Sequence, residues 1–386
     1  MAEGMDGRPA VVIFRSPIFH PHETFVRDHA LALKRYAPLV AGLEQKGNVP
    51  PELAGRILFP PSSSGGLGLR LLGRDSAFAE RIRAFSPVLV HAHFATDALL
   101  ALPITERLGL PLVTTLHGYD VSRTRARLVA SGRLSWMRYG LFARRLMTRG
   151  RLFLAVSDAL RARALAAGFP AERTVTHYNG VDLARFGAGP RRPERGLVLH
   201  VGRLVEKKGT AILLQALARV RERQPAARLV VLGEGPLRPR LEAHAASLGL
   251  GDCVSFLGAR PPAEVAAWMA RAWLLAVPSV TAGDGDSEGL PTVLAEAAAS
   301  CLPAVGTAHS GIPEAIVDSA TGFVVPEGEE EPLARRIAEL LEAPRLRNSM
   351  GRAARALAEE KFDSARQAAL LERHYDRLAR APEPAR

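Results

Sequence analysis

Short, unbroken apolar runs rich in β-branched residues recur along the whole chain, and a stretch of helical or mixed pattern separates each from the next. Val11–Phe14, Val88–His93, Leu112–Leu116, Leu152–Val156 and Thr174–His177 form one series. Leu197–Val201, Arg228–Leu232, Val254–Leu257, Trp273–Val277, Ala304–Val305 and Phe323–Val325 form a second. Strands that are apolar throughout must be covered on both faces, which calls for parallel sheets wrapped by crossover helices. Helical periodicity over Thr210–Arg223, Pro236–Leu248 and Leu290–Ser300 supplies such helices. The polar segment Gly187–Arg195 (GAGPRRPER) divides the two series. The pattern therefore predicts an α/β chain of two doubly wound, Rossmann-like domains, residues 1–186 and 196–360, with a last helix over about 362–381. A length of 386 residues suits two domains.

Composition narrows the function classes. With 47% hydrophobic and 23% charged residues the chain has material for a core, which excludes a disordered or low-complexity protein. The longest stretch without a charged side chain, Ala297–Pro313, carries polar residues, proline and glycine, and falls short of the ~20 apolar residues of a spanning helix. The start, MAEGMDGRPAVVIF, lacks the basic and long apolar regions of a signal peptide. Cys253 and Cys301 show no metal-ligand spacing, which argues against a disulfide scaffold or zinc module, and a reducing cytoplasm is expected. Charge is lopsided, with 28 Lys+Arg against 15 Asp+Glu in residues 1–200 and 23 against 24 in residues 201–386. Between Val121 and Ser157 stand nine arginines and no carboxylate. Such a field suits an anionic membrane, a phosphorylated lipid or nucleic acid, or is a plain solvated surface.

In open α/β sheets ligands bind beyond the carboxyl ends of the strands, where turns lead into helix N-termini. Three such ends carry polar or glycine chemistry: Gly202–Gly209 after Leu197–Val201, Gly233-Glu234-Gly235 after Arg228–Leu232, and the loop from Pro278 to Pro291 after Trp273–Val277. Neither G-x-x-x-x-G-K-[ST] nor a G-x-G-x-x-G after the first strand is present, so a P-loop kinase or simple dinucleotide dehydrogenase is not supported. Arg203 and Lys208, five apart beside backbone amides expected to be free, suit one or two phosphates. Glu296 lies among Ala297, Ala298 and Ala299, where a carboxylate needs solvent or a hydrogen-bonding partner such as a ribose diol. Taken singly, each of these side chains reads equally well as ordinary surface.

Together they carry a resemblance. G-R-L-V-E-K-K-G (202–209) followed by S-E-G-L-P-T-V-L-A-E (287–296) resembles the donor-site signature of retaining glycosyltransferase family 4, whose members have the GT-B fold. His91-Ala92-His93-Phe94, Leu116-His117-Gly118-Tyr119-Asp120, Val156-Ser157-Asp158, Tyr178-Asn179-Gly180-Val181-Asp182, Gly233-Glu234-Gly235-Pro236, Phe256-Leu257-Gly258 and Ser310-Gly311-Ile312-Pro313-Glu314 extend the likeness over essentially the full chain. The family implies a GT-B arrangement of two Rossmann-like domains facing a cleft, with the last helix returning to the first domain. It implies that Arg203 and Lys208 hold the donor diphosphate, that Glu296 takes the ribose hydroxyls, and that Glu288 with Gly289, Leu290, Pro291 and Thr292 takes the sugar and phosphate. Gly233 and Glu234 would line the donor site, and Gly258 to Arg260 would face the nucleobase. His117 would lie opposite the anomeric carbon, with His93, Asp120, Glu23 and Thr24 on the acceptor side.

The first loop, Ser16 to Phe25, departs from the glycine-rich version of many relatives and is similar to the E-T-F form of exopolysaccharide-type members. Asp284-Gly285-Asp286 has the look of a metal-binding D-x-D, yet the Arg203 and Lys208 cations supply the charge a metal would bring, so neither a divalent metal nor another cofactor is expected. Other histidines at strand ends (His91, His177, His200) read as core residues bonded to neighbouring carbonyls. The implied activity is retaining transfer of a hexosyl or N-acetylhexosaminyl group from a UDP, GDP or ADP sugar to a saccharide or lipid-linked hydroxyl, in cell-surface polysaccharide or glycoconjugate assembly. Alternatives are a sugar-nucleotide epimerase, a phosphorylase, or a non-catalytic binding protein. A phosphorylase needs a pyridoxal lysine, and none of Lys34, Lys46, Lys207, Lys208 and Lys361 sits in a recognisable cofactor pocket. The Arg123–Arg151 region, with Leu134, Trp136, Met137, Leu141 and Phe142 interleaved, suits a peripheral site at the inner face of the cytoplasmic membrane, whereas no base-reading motif supports nucleic acid.

Overall fold

The computed structural model describes residues 7–20, 23–61, 75–187 and 191–380, together with Gly68 and Gly189. Residues 1–6, where the leader reading falls, and Pro21, His22, Ala188, Pro190 and Ala381 lie outside the described residues. The chain forms two compact units, Met1–Gly180 with Ser364–Arg386, and Val181–Asp363.

The first unit is built on a parallel seven-stranded sheet: β1 (Ala10–Phe14), β2 (Ala37–Ala41), β3 (Ile57–Leu58), β4 (Leu89–His93), β5 (Leu112–Leu116), β6 (Leu152–Ala155) and β7 (Thr174–Thr176), in the order β3-β2-β1-β4-β5-β6-β7. All residues of β1, β4, β5 and β6 are buried, as their unbroken apolar runs require. β2 and β3 are additions to the sequence reading. β2 contains Pro38, which ordinarily argues against an inner strand. Here Ala37 N–H donates to Pro9 on the β1 side and Val40 N–H to Arg56 on the β3 side. The absent N–H of Pro38 thus faces the β3 side at a level β3 does not reach, since β3 pairs only with Val40 and Ala41, and no ladder bond is lost.

The second unit holds a parallel six-stranded sheet: β8 (Leu197–Val201), β9 (Arg228–Leu232), β10 (Val254–Gly258), β11 (Leu274–Val277), β12 (Ala304–Thr307) and β13 (Gly322–Val325), in the order β10-β9-β8-β11-β12-β13. Its core gathers Val198, Leu213, Leu217, Leu229, Leu333 and Ile337 from strands and covering helices. Each sheet starts in its middle, winds to one edge and then returns to wind to the other. The order therefore reverses between β1 and β4 and between β8 and β11, and the loops at the carboxyl ends of those strands flank a crevice.

The terminal helix Ser364–Arg380 packs into the first unit through buried Leu371 and Tyr375 and partly buried Leu378. Buried Glu372 fastens it by accepting the backbone N–H groups of Lys34 and Arg35 at 2.8 and 2.6 Å, just past the helix Thr24–Ala32. The second unit begins before the polar segment from which the sequence reading took its boundary. Val181 N–H donates to Phe362 O at 2.7 Å, and Arg355 donates to Leu183 O and Ala299 O, so the short helix Leu183–Gly187 belongs to that unit. Among the described residues no helix is long and apolar enough to cross a membrane.

Candidate functional site

In the second unit the loops after β8 and β11 flank the strand-order reversal, and they carry the charged residues singled out above. After β8 the chain runs through Arg203 and a single 3-10 turn, Glu206–Lys208, into the helix Thr210–Arg223. Gly209 joins them at φ +64°, and a Cβ there would stand 1.8 Å from Pro278 O, so only glycine fits. The expectation of free amides in this loop holds only in part: the N–H groups of Leu204, Val205, Lys208 and Gly209 donate to Glu234 O, Arg203 O, Val205 O and Glu206 O, whereas among the described residues those of Arg203, Glu206 and Lys207 have no acceptor. The tight turn closes four of its amides on itself, so its capacity for an anion rests on the side chains and the remaining N–H groups. Arg203 is exposed and, among the described residues, its guanidinium has no hydrogen-bond or ion-pair partner. Lys208 Nζ lies 3.0 Å from Glu288 Oε1, and Lys207 Nζ lies 3.2 Å from Asp286 Oδ1. Burial opposes the charge on Glu288, but Lys208 and Lys207 outweigh it and hold that carboxyl at about 2. Asp286 of the D-x-D run is thus engaged with a lysine, and its backbone N–H donates to Asp284 Oδ1 at 2.9 Å.

The Glu288 loop is braced from β12. Ser310 Oγ donates to Glu288 O at 2.7 Å, and Gly311 N–H to Gly289 O at 3.0 Å. Buried His309 accepts Glu288 N–H at Nε2 (3.2 Å), while its Nδ1 is 2.8 Å from Glu327 Oε2. A ring that accepts at Nε2 donates from Nδ1 to the carboxylate, which fixes the tautomer. Gly289, Leu290 and Pro291 are buried, and Pro291 offers no N–H. They lead into the helix Thr292–Ala299, in which Thr292 and Glu296, one turn apart, are the two residues that are not fully buried. Gly233 and Gly258 meet at the ends of β9 and β10, where Gly233 N–H donates to Gly258 O at 2.8 Å. Glu234 pairs with Arg238, and exposed Arg260 lies 3.6 Å from Glu264.

In the first unit His117 directly follows β5. Its N–H donates to Asp120 Oδ2 and that of Ala95 to Asp120 Oδ1, both at 2.7 Å, so buried Asp120 ties the ends of β4 and β5 together. Burial raises Asp120 to about 6 against these two donors. His117 stacks on His93 with ring centres 5.3 Å apart and touches Phe25 and Phe94, each at 4.5 Å. Glu23 precedes Thr24, the first residue of its helix, and grips Arg15 with both oxygens at 2.7 Å, while Arg15 also pairs with Asp97 at 2.6 Å. The expectation of carbonyl-bonded core histidines holds for His200, which meets Ala276 O and Thr210 Oγ1. It is corrected for His91, whose ring nitrogens meet Tyr375 Oη and Thr115 Oγ1 instead. Sequence reasoning missed Arg15, Asp97, His29, His309 and Glu327. Arg15 closes the first apolar run and His309 directly precedes Ser310-Gly311, and those positions were the available signals.

Residues 185–357 match the family Glycosyl transferases group 1, and residues 22–185 match Glycosyltransferase Family 4. The chain is 31% identical over 287 residues to the amylovoran biosynthesis glycosyltransferase AmsK of Erwinia amylovora, covering 73% of this chain and 68% of that protein. The chain belongs to glycosyltransferase family 4. Another family relative, the putative colanic acid biosynthesis glycosyltransferase WcaL of Escherichia coli K12, is 36% identical over 252 residues. That match covers 64% of this chain and spans 60% of the relative's length. The GT-B fold of the family is seen in Anabaena Alr3699/HepE solved with UDP-glucose, with a TM-score of 0.77 at 21% identity, covering 95% of this chain and 99% of that one. It is seen also in WaaG, a glycosyltransferase involved in lipopolysaccharide biosynthesis, with a TM-score of 0.70 at 20% identity and coverage of 96% and 100%.

Proposed function

We propose that this family 4 chain is a retaining glycosyltransferase that moves a hexosyl or N-acetylhexosaminyl group from a nucleoside-diphosphate sugar to a hydroxyl of a saccharide or lipid-linked acceptor in cell-surface polysaccharide assembly. The observation that carries it is the cationic loop at the strand-order reversal of the second unit, where Arg203 stands exposed and Lys208 is held by buried Glu288. Breaking the bond between the anomeric carbon and the diphosphate leaves negative charge on the departing oxygen. Arg203 and Lys208 stabilise that charge as preorganised cations, the work a metal ion would otherwise do. The new bond forms from the acceptor oxygen on the face the diphosphate leaves, and the acceptor proton passes to the departing diphosphate. Glu296 accepts from the ribose diol and Gly258 to Arg260 face the base, and in the first unit His117 serves the sugar while Asp120 and His93 hold that histidine in place.

The relatives support both the reaction and its setting. WcaL and AmsK carry colanic acid and amylovoran biosynthesis in their names. A GDP-mannose-dependent mannosyltransferase of Mycolicibacterium smegmatis, 29% identical and covering 86% of each chain, extends the setting to a phosphatidylinositol mannoside. Peripheral membrane association is supported by the helix Leu134–Arg149, where Leu134, Leu141 and Phe142 are about half exposed among Arg138, Arg144, Arg145 and Arg149. Turnover with a panel of UDP, GDP and ADP sugars tests the activity. Release of nucleoside diphosphate from at least one, accelerated by an oligosaccharide or lipid-linked acceptor, is the expected outcome. Thermal stabilisation by a sugar nucleotide without turnover would support the non-catalytic alternative.

A further inference from the structure

Behind His117 the first unit buries a line of polar side chains that the proposed chemistry leaves unused. His91 and His93 share one face of β4, and Thr115 of β5 and His117 just past its end meet them on that side through Thr115–His91 and His93–His117 contacts. The helix Thr24–Ala32 brings His29 to that side and the terminal helix Ser364–Arg380 brings Tyr375. The contacts run in single file. Thr115 Oγ1 is 2.6 Å from His91 Nε2, and His91 Nδ1 is 2.5 Å from Tyr375 Oη. Tyr375 Oη is 3.3 Å from His29 Nε2, His29 Nδ1 is 2.9 Å from His93 Nε2, and His93 Nδ1 is 3.0 Å from His117 Nε2. Both nitrogens of His29, His91 and His93 are used, one on each side.

A neutral imidazole has one donor and one acceptor nitrogen, so a file of such rings must point one way throughout. Burial holds His29 at about 4 and His91, His93 and His117 well below the ordinary imidazole value, so each ring is neutral at pH 7. The direction is set at the far end. Thr115 is buried, and among the described residues His91 Nε2 is the acceptor available to its hydroxyl. A buried O–H left without an acceptor is costly, so Thr115 donates to His91. His91 then donates to Tyr375, Tyr375 to His29, His29 to His93, and His93 to His117.

We propose that Thr115, His91, Tyr375, His29 and His93 form a directional hydrogen-bonded file that fixes the proton of His117 on Nδ1, so that the ring presents an N–H donor to an oxygen of the bound ligand. This rests on the reading of His117 as a residue that touches substrate, and it makes the other five positioning residues. A metal centre at His29, His91 and His93, whose nitrogens lie within 4.8 Å of one another, fits less well. The rings of His91 and His93 are stacked at 15°, so their lone pairs lie in nearly parallel planes and do not converge on one ion.

The test is Tyr375→Phe, which removes the central hydroxyl and keeps the ring. Tyr36→Phe is its control, because Tyr36 packs edge-on against Tyr375 at 5.3 Å while its hydroxyl donates to Asp376, outside the file. Long-range proton–nitrogen spectra of histidine-labelled protein should show His117 protonated on Nδ1 in the wild type and Tyr36→Phe, and a mixture of tautomers in Tyr375→Phe. With a turned-over donor, Tyr375→Phe should lower kcat about tenfold with little change in donor KM, the scale of lost outer-partner orientation. It should add no further loss to His117→Ala. Thr115→Val, nearly the same shape, repeats the test from the other end should Tyr375→Phe fail to fold. A wild-type proton on Nε2 of His117, or an unchanged tautomer in folded Tyr375→Phe or Thr115→Val, overturns the proposal. Full turnover by His117→Ala overturns the catalytic reading of His117 alone, since the spectra report the file independently.

Discussion

Glu288 and Lys208 show how one buried pair ties stability to the proposed chemistry. Glu288 is held at about 2, against an ordinary value of 4.5, so the folded chain binds its proton less readily than the unfolded chain does. Its contribution is therefore present above about pH 4.5 and is lost as pH falls toward 2. Glu288→Gln should cost about 3 kcal/mol at pH 7, and the difference from wild type in denaturant unfolding should shrink between pH 4.5 and 2. A pH-independent difference would assign the loss to packing. Glu296 makes a separate prediction from its place on the open stripe of an otherwise buried helix. Glu296→Gln should weaken sugar-nucleotide binding by about tenfold and pyrophosphate binding much less, as read by competition. Equal losses for both ligands would mark a folding role. The partners of such residues set what a reading of the sequence reaches. Lys208 and Glu288 were legible because each sits in an unbroken motif, whereas Tyr375 and His29 meet across 346 positions and show no local signal. Arg15 was hidden for the same reason, its partner Asp97 being 82 positions away.

At the scale of elements, most strands were legible in sequence as short apolar runs, whether fully buried like β6 or partly exposed like β7 and β10, because continuous apolar character needs no register to be seen. β2 was obscured by Pro38, whose tolerance depends on where a neighbouring strand ends. Gly209 gives the clearest prediction here. Gly209→Ala places a Cβ against Pro278 O at a positive φ, so the β8 loop must shift. It should cost at least about 1–3 kcal/mol and reduce sugar-nucleotide affinity, measured by unfolding and titration on the same sample. Unchanged affinity would separate the loop from the ligand. The helix Leu134–Arg149 yields another. Arg123 and Arg133 lie over the Trp136 ring at 4.4 and 4.6 Å, and Arg145 and Arg149 reach Glu106, yet the half-exposed apolar side chains beside them remain open to solvent. At about 1 kcal/mol for each arginine near an anionic surface, changing Arg133, Arg138, Arg144 and Arg145 to Gln should reduce binding to anionic vesicles at low salt by at least about a hundredfold. Sedimentation that is the same with anionic and neutral vesicles would favour a solvated basic face.

Across the whole molecule, the buried histidines should dominate the response of stability to mild acid. His29 is lowered to about 4 and His177 to about 3, with His91, His93 and His117 lowered as well, all by burial first. His200 in the second unit is lowered to about 4. The unfolded chain takes up protons near pH 6.5 that the folded chain refuses, so stability is lost as pH falls from about 6.5 toward 4. Each histidine contributes on the order of 1–2 kcal/mol at pH 5. Asp97 and Asp120, raised by burial, work in the opposite direction and offset part of this. The urea midpoint should be lower at pH 5 than at pH 7, and an equal or higher midpoint would contradict the burial described here. The contrast between a basic first half and a near-neutral second half was legible from charge alone, because a sum over sequence needs no contacts. The central claim is that the second unit's cationic loop stabilises a departing diphosphate, and it is tested most directly by turnover of the preferred sugar nucleotide in Arg203→Ala and Lys208→Ala. Each should lose about tenfold or more in kcat/KM, the scale of a charged hydrogen bond, whereas wild-type turnover in both single variants would contradict the account.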